Sequence, residues 1–368
     1  MKKIVLISPK NRTVYNFRGD LIKEIIGRGY EVIVTGPDRI DVDKIEALGA
    51  RFKEIPMEKT GTNISSDLNY CKELIRFLKE EKPEVTLGYT VKPVVYGAIA
   101  AKRAEVKNIN CLITGGGYTF VSRSVKARIL GMIVRNLYRV GLLNATNVIF
   151  QNKDDLQEFS AKRLVNKKKC SYVNGSGVNI DQFKPMPMPE ELTFFMLSRL
   201  LKSKGVGEYL EAARTVKKQY PQVKFKLLGK YEYVMQDAMN HDYVESFIND
   251  GTIERFEETE DVRPYYEKCS IYVLPSYREG TPRTVLEAMA MGRPIITTDT
   301  QGCRETVIDG ANGFLVPIKD SDAIAEKMIW FIEHPEVIQE MGERSRQYAS
   351  EKFDVNKVNA EMIRIMNL

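Results

Sequence analysis

Several things are scarce in this chain. Its 368 residues include only two histidines, His241 and His334. Both fall in the second half, outside any motif, so the first half has no histidine to act as base or ligand. No apolar run approaches the ~20 residues that a bilayer-spanning helix needs. The apolar part of the opening MKKIVLISPK is too short for a secretory signal and reads as a first strand. Cys71, Cys111, Cys170, Cys269 and Cys303 are odd in number and scattered, with no CxxC or metal spacing. A disulfide framework is therefore not expected, and a reducing cytoplasm is the simplest compartment. Acidic residues are missing altogether from Val106 through Lys153. What remains is the apolar and charged mixture of a soluble globular protein, too long for one core, so two domains are expected.

The most informative stretch is Ile271 to Glu305, IYVLPSYREGTPRTVLEAMAMGRPIITTDTQGCRE. Ile271–Leu274 reads as a buried strand, Pro275–Gly280 as a loop and Pro294–Thr298 as a second strand. Between them a helix starts, with Thr281 expected as N-cap and Pro282 at its first position. Strand, loop, helix, strand is a βαβ unit, whose ligands sit at the carboxyl ends of the strands. The backbone N–H groups of Arg283 and Thr284 are left without intrahelical partners and form an anion site. Glu279 precedes that site and Glu287 lies beyond it. Carboxylates would repel a phosphate, but they suit hydroxyls on either side of one. A nucleotide-sugar has hydroxyls at both ends.

Glu279 and Glu287 bracket seven residues. This resembles the E-x7-E motif of the retaining family 4 glycosyltransferases, whose fold is GT-B: two Rossmann-like α/β domains facing across a cleft. The resemblance implies that Glu287 holds the nucleotide ribose. It implies that Glu279, Gly280 and Thr281 hold the transferred sugar, with Pro282, Arg283 and Thr284 completing the donor site. A second element supports it. Ser198-Arg199-Leu200-Leu201-Lys202-Ser203-Lys204-Gly205 lies between an expected strand, Thr193–Leu197, and an expected helix from about Val206 to Gln219. It resembles the family's R-x4-K motif, with Arg199 and Lys204 as the pair and Lys202 solvated. Negative charge grows on the β-phosphate as a nucleotide-sugar's glycosidic bond breaks, and two fixed cations stabilise it most in the transition state. Arg199, Lys204 and Glu279 are thus the expected catalytic residues. Asp41-Val42-Asp43 and Asp320-Ser321-Asp322 match the metal-binding DxD of another transferase class. Both sit at expected helix starts, where Asp caps, and no metal or other cofactor is expected to be required.

Elements alternate along the chain. First-half strands are expected near Lys3–Ile7, Glu31–Thr35, Arg51–Ile55, Val85–Leu87, Asn108–Leu112, Asn147–Phe150 and Cys170–Val173. Helices are clearest at Asp67–Glu80, Pro93–Arg103 and Arg123–Leu143. The proline-spaced Phe183–Pro189 reads as a linker between an acceptor-binding domain over 1–180 and a donor-binding domain over 190–350. By the resemblance, a last helix within 351–368 crosses back onto the first domain.

Three first-half segments are expected on the acceptor side: the loop with Asn16, Phe17 and Arg18; Tyr89 to Pro93 with Lys92; and Gly115-Gly116-Gly117. With GSGVN, FQNKDD and SYREGTPR, these resemble the capsule- and O-antigen-type members that extend undecaprenyl-diphosphate-linked sugars. Those members more often carry Gly-Leu-Gly at the triple glycine. The implied donor is a UDP-sugar, an N-acetylhexosamine or hexose.

Charge divides between the halves. Residues 1–180 carry a net +13 and the remainder −7. The expected Arg123–Leu143 helix bears Arg123, Lys126, Arg128, Arg135 and Arg139, with Val125, Ile129, Ile133 and Leu137 as its apolar positions. Such a helix fits an anionic membrane surface, a lipid-pyrophosphate acceptor or both, and the membrane reading places the protein on the cytoplasmic face of the membrane; a buried core helix with snorkelling arginines is the alternative. No nucleic-acid fold signature accompanies the charge. A GT-B nucleotide-sugar epimerase or hydrolase, or a non-catalytic nucleotide-sugar-binding protein, are the rival readings.

Overall fold

The computed structural model describes the chain apart from residues 59–62, 116–124, 234 and 236, and gives only the backbone of 125–129. The chain forms two compact units. Unit 1 is Met1–Ser176 with Val355–Leu368, and unit 2 is Gly177–Asp354.

Unit 1 runs β1 (Lys2–Ile7), α1 (Asn11–Gly27), β2 (Tyr30–Gly36), α2 (Val42–Glu46), β3 (Arg51–Glu54), α3 (Ile64–Glu81), β4 (Val85–Tyr89), α4 (Val91–Arg103), β5 (Asn108–Ile113), α5 (Val125–Leu143), β6 (Asn147–Phe150), α6 (Lys153–Ala161) and β7 (Cys170–Tyr172). Its seven strands are parallel in the order β3-β2-β1-β4-β5-β6-β7. Helices cover a sheet buried on both faces, which is why these strands read as near-continuous Val, Ile and Leu runs. The order reverses between β1 and β4, a switch point at whose carboxyl ends ligands sit.

Unit 2 runs β8 (Thr193–Leu197), α7 (Val206–Gln219), β9 (Lys224–Leu228), α8 (His241–Asn249), β10 (Glu254–Phe256), α9 (Arg263–Glu267), β11 (Ile271–Leu274), α10 (Arg283–Ala290), β12 (Ile295–Thr298), β13 (Gly313–Val316), α11 (Ser321–Glu333) and α12 (Val337–Lys352). Its six strands are parallel in the order β10-β9-β8-β11-β12-β13, with the switch point between β8 and β11. One continuous core joins the aromatic residues Phe194, Phe195, Phe225, Tyr266 and Tyr272 to the aliphatic faces of α7, α10 and α11.

The last helix, α13 (Val355–Met366), belongs to unit 1. It buries Val358, Met362, Ile363 and Met366 in the cluster that holds Val14 and Leu21 of α1. At roughly 1.5–3 kcal/mol for each fully buried aliphatic side chain, that burial dominates its attachment. Asn147 adds an amide hydrogen bond to the carbonyl of Ile365, 3.1 Å.

Three expectations need correction. Asn16, Phe17 and Arg18 lie inside α1, not in a loop, because the helix already starts at Asn11, with Lys10 as its N-cap. α10 starts one residue late: Pro282 is its N-cap and Thr281 lies outside it, its hydroxyl turned to the carbonyl of Gly280. The proline-spaced stretch is packed into unit 2. Arg293, fully buried, donates to the carbonyls of Met186 and Pro187 as well as those of Tyr266 and Glu267. Arg346 holds the carbonyls of Ile180 and Phe183.

Candidate active site

The unit 2 site is built at the carboxyl ends of β8 and β11. After β8 the chain makes a tight turn over Lys202–Lys204 and enters α7 through Gly205, whose φ is +74°. A Cβ there would lie 2.1 Å from the carbonyl oxygen of Pro275, so only glycine lets this turn meet the loop that follows β11. The carbonyl of Ser203 accepts from the backbone N–H of Tyr277 (2.9 Å) and the hydroxyl of Ser276 (3.2 Å). The two loops are thereby fastened together.

Across that seam Lys204 is ion-paired with Glu279. Glu279 is also held through its backbone, which donates to the carbonyl of Gln301 at 3.1 Å. Gly302, at φ +78°, presses against the carbonyls of Glu279 and Gly280. Arg199 points elsewhere. Its guanidinium, about half exposed, faces Glu232 at 3.6 Å and the sulfur of Met235 at 3.3 Å. The motif's two cations thus meet different carboxylates, and Lys202 is exposed.

The second acid, Glu287, lies one turn into α10. Val285 and Leu286 donate their N–H groups to the carbonyl of Pro282, and Arg283 and Thr284 precede them as the positions that point amides outward. Arg283 donates Nε to Oε1 of Glu287 at 3.1 Å and Nη1 to the carbonyl of Gly177 at 2.8 Å. The hydroxyl of Tyr266 lies 3.2 Å from Oε2 of Glu287. Burial pushes the Glu287 carboxyl above its ordinary range, opposed by Arg283 and then by Tyr266. Gly280 is buried, and Thr281 and Thr284 are half-buried beside this turn. The arrangement can therefore hold hydroxyls at two carboxylates and an anion between them.

Tyr266, Glu232 and the Gln301–Gly302 turn were not picked out by sequence reasoning. Tyr266 carries no motif. It lies in a five-residue helix whose sequence, RPYYE, gives no hint of Glu287. Gly302 could have been noticed as a glycine just past β12, at the carboxyl side of the sheet.

In unit 1, Tyr89 is buried at the end of β4, with its hydroxyl 2.7 Å from Ser8 Oγ and 3.0 Å from Thr13 Oγ1. Arg18, also buried, lies over its ring at 5.4 Å. Lys92 belongs to a different cluster, paired with Asp67 at 2.6 Å, which also accepts from Tyr96 at 3.0 Å. Asn16 and Phe17 are exposed on α1. Gly115 has φ +125°, a glycine-only conformation. Gly116 and Gly117 lie outside the described residues, as do Arg123 and the side chains of Lys126 and Arg128.

α5 differs from expectation. It buries Val134, Tyr138 and Leu142, and leaves Ile133 exposed and Leu137 half-buried. The expected apolar stripe was one step out of phase, because Val134, Tyr138 and Gly141 form the i, i+4, i+7 row that meets α4. Gly141 sits where a Cβ would lie 2.7 Å from Val95. The opposite face exposes Met132, Ile133, Val140 and Leu143, with Leu143 73% exposed. Arg139 is exposed beside it, and Lys169 caps the helix end through the carbonyls of Leu143 and Ala145.

Two family models cover most of the chain. Residues 179–348 match glycosyl transferases group 1, and residues 3–152 match glycosyl transferase 4-like. The chain is a glycosyltransferase with the GT-B fold. It is 25% identical to the N,N'-diacetylbacillosaminyl-diphospho-undecaprenol alpha-1,3-N-acetylgalactosaminyltransferase of Campylobacter jejuni, over 99% of this chain and 98% of that protein. The capsular polysaccharide biosynthesis glycosyltransferase CapM of Staphylococcus aureus is 23% identical over 89% of this chain and 90% of its own. Among solved structures, Anabaena HepE in complex with UDP superposes with a TM-score of 0.80 over the whole of both chains at 18% identity. This glycosyltransferase thus resembles enzymes of capsule and polysaccharide biosynthesis. Among the described residues, no helix is long and apolar enough to cross a membrane.

Proposed function

We propose that this glycosyltransferase moves an N-acetylhexosamine or hexose from a UDP-sugar to a lipid-diphosphate-linked saccharide, with retention of configuration, in the synthesis of a surface glycan. The observation that carries the reading is the pair of held carboxylates flanking the start of α10: Glu279 with Lys204, and Glu287 with Arg283. Glu287 takes the ribose. Glu279, Gly280 and Thr281 take the transferred sugar, and the amides at Arg283 and Thr284 face the diphosphate. Donor binding separates the cations from their present carboxylates. Lys204 and Arg199 then turn to the β-phosphate, where charge accumulates as the glycosidic bond breaks. The departing phosphate can take the acceptor hydroxyl's proton, and retention follows if acceptor and leaving group share one face.

The undecaprenyl-diphosphate-linked substrate named for the Campylobacter relative supports a lipid-linked acceptor. The UDP bound in HepE supports the donor. On the acceptor side, Arg18 and Tyr89 with Lys92 and Gly115 are the proposed contacts. The exposed apolar face of α5, bordered by Arg135 and Arg139, rests on the anionic cytoplasmic surface of the membrane. A thermal-shift panel tests the donor. UDP-sugars raise the melting temperature by mass action, equally with a chelator present. No shift with any of them, or a shift abolished by the chelator, contradicts the proposal.

A further inference from the structure

Glu287 is gripped at both oxygens, and the second grip is assigned by nothing but geometry. Arg283 reaches Oε1 from four residues back on the same helix. Tyr266 reaches Oε2 from α9, 21 residues away. The Tyr266 ring is fully buried and cannot swing. Phe195 and Tyr272 stand with ring centroids 5.6 Å from it, and Phe183 at 6.4 Å. Its carbonyl is fixed by Nε of the buried Arg293 at 3.0 Å. The hydroxyl at the end of this rigid ring has one proton and two acceptors in reach, the carbonyl of Thr284 at 2.9 Å and Glu287 at 3.2 Å. Thr284 is helical, so its carbonyl has a second partner in the turn above. A charged carboxylate is the stronger acceptor.

A carboxylate oxygen has two lone-pair sites. With one site of each oxygen taken by Arg283 and Tyr266, one site on each remains. Two adjacent acceptors held in a fixed plane fit two adjacent hydroxyls. We propose that Tyr266 is a positioning residue that sets the plane of the Glu287 carboxylate for a vicinal diol, and so makes this site select ribonucleotide over deoxyribonucleotide donors. The inference rests on the placement of the ribose at Glu287. Tyr266 itself touches no substrate. Burial holds the Tyr266 phenol well above its ordinary value, so it stays protonated as this role requires.

The test is calorimetric titration of the full chain with UDP, 2′-deoxy-UDP and 3′-deoxy-UDP, in the parent, in Tyr266→Phe and in Arg283→Gln. The parent binds UDP at least about tenfold more tightly than either deoxy analogue, as expected for a lost hydrogen bond to a charged group. Tyr266→Phe weakens UDP toward the affinity of its deoxy analogues, which change little, and so cuts that preference to about threefold or less. A merely structural tyrosine would weaken all three ligands by one common factor. Arg283→Gln loosens the other oxygen and shows the same loss of preference should the phenylalanine variant not fold. An unchanged preference in a folded Tyr266→Phe overturns the inference and leaves the ribose placement standing. Equal binding of all three ligands by the parent overturns both.

Discussion

Lys204 and Glu279 stand 75 residues apart in sequence and are ion-paired at the seam between the β8 and β11 loops. Neither side chain is more than about a quarter exposed, with 24% for Lys204 and 14% for Glu279. The pair brings the two motifs side by side. Replacing Lys204 with alanine lowers turnover by roughly a hundredfold or more, because a cation is lost where charge develops. Arg199→Ala does the same with less effect on the free protein, since Arg199 is the more exposed. Steady-state kinetics with a melting control checks both. Near-normal turnover in both would remove them from the site.

Gly302 tests how firmly the Glu279 loop is held. A Cβ at this φ of +78° would sit 2.5 Å from the carbonyls of Glu279 and Gly280. Gly302→Ala therefore costs about 1–3 kcal/mol of stability and weakens donor binding. Gly310→Ala is the control, with φ +74° but open space around the position. It loses stability through its backbone alone and leaves donor affinity unchanged. Titration of the donor into both variants separates the effects.

Acid stability depends in part on Glu81. The Arg51 guanidinium, and after it Lys3, hold this carboxyl down at about 2 against its partial burial. A depressed folded value stabilises the fold above the unfolded value of about 4.5, and that contribution disappears as pH falls toward 2. Glu81→Gln lowers stability at pH 7 by about 1–2 kcal/mol, allowing for solvent around the half-exposed Arg51. It also flattens the loss between pH 4.5 and 2. Urea unfolding of parent and variant at several pH values measures both.

The outer face of α5 gives a membrane test that spares the fold. Met132, Val140 and Leu143 are all exposed, so changing all three to Glu disturbs no core. Co-sedimentation with anionic liposomes drops in this variant, and added salt weakens it in the parent. A folded triple variant that sediments as the parent does removes α5 from the interface.

Most of the fold was legible because its strands are buried on both faces. β6, β8 and β11 fall on their expected residues, as does α7, and each of the other expected strands shifts at one or both ends by one or two positions. The motif residues Lys204, Glu279 and Glu287 were legible for a chemical reason: carboxylates and cations beside a helix start conflict unless a ligand or each other answers them. What failed depended on tertiary partners. The turn into α1 has no side-chain cap to announce it. The face that α5 buries is decided by Gly141 meeting Val95, which periodicity alone does not rank. The proline-spaced stretch looks like a linker until Arg293 and Arg346, more than a hundred residues on, are seen to hold its carbonyls. Tyr266 became visible only once α9 was placed beside α10.

The most direct measurement of the central claim is sugar transfer itself. The full chain is incubated with labelled UDP-N-acetylhexosamines and UDP-hexoses, with and without an undecaprenyl-diphosphate-linked saccharide, and products are separated and their anomeric configuration read by NMR. The account predicts label on the lipid-linked saccharide with one of these donors, the donor's anomeric configuration kept, and little donor turnover without acceptor. Equal turnover of nucleotide-sugar with acceptor left out, or transfer with inverted configuration, would contradict it.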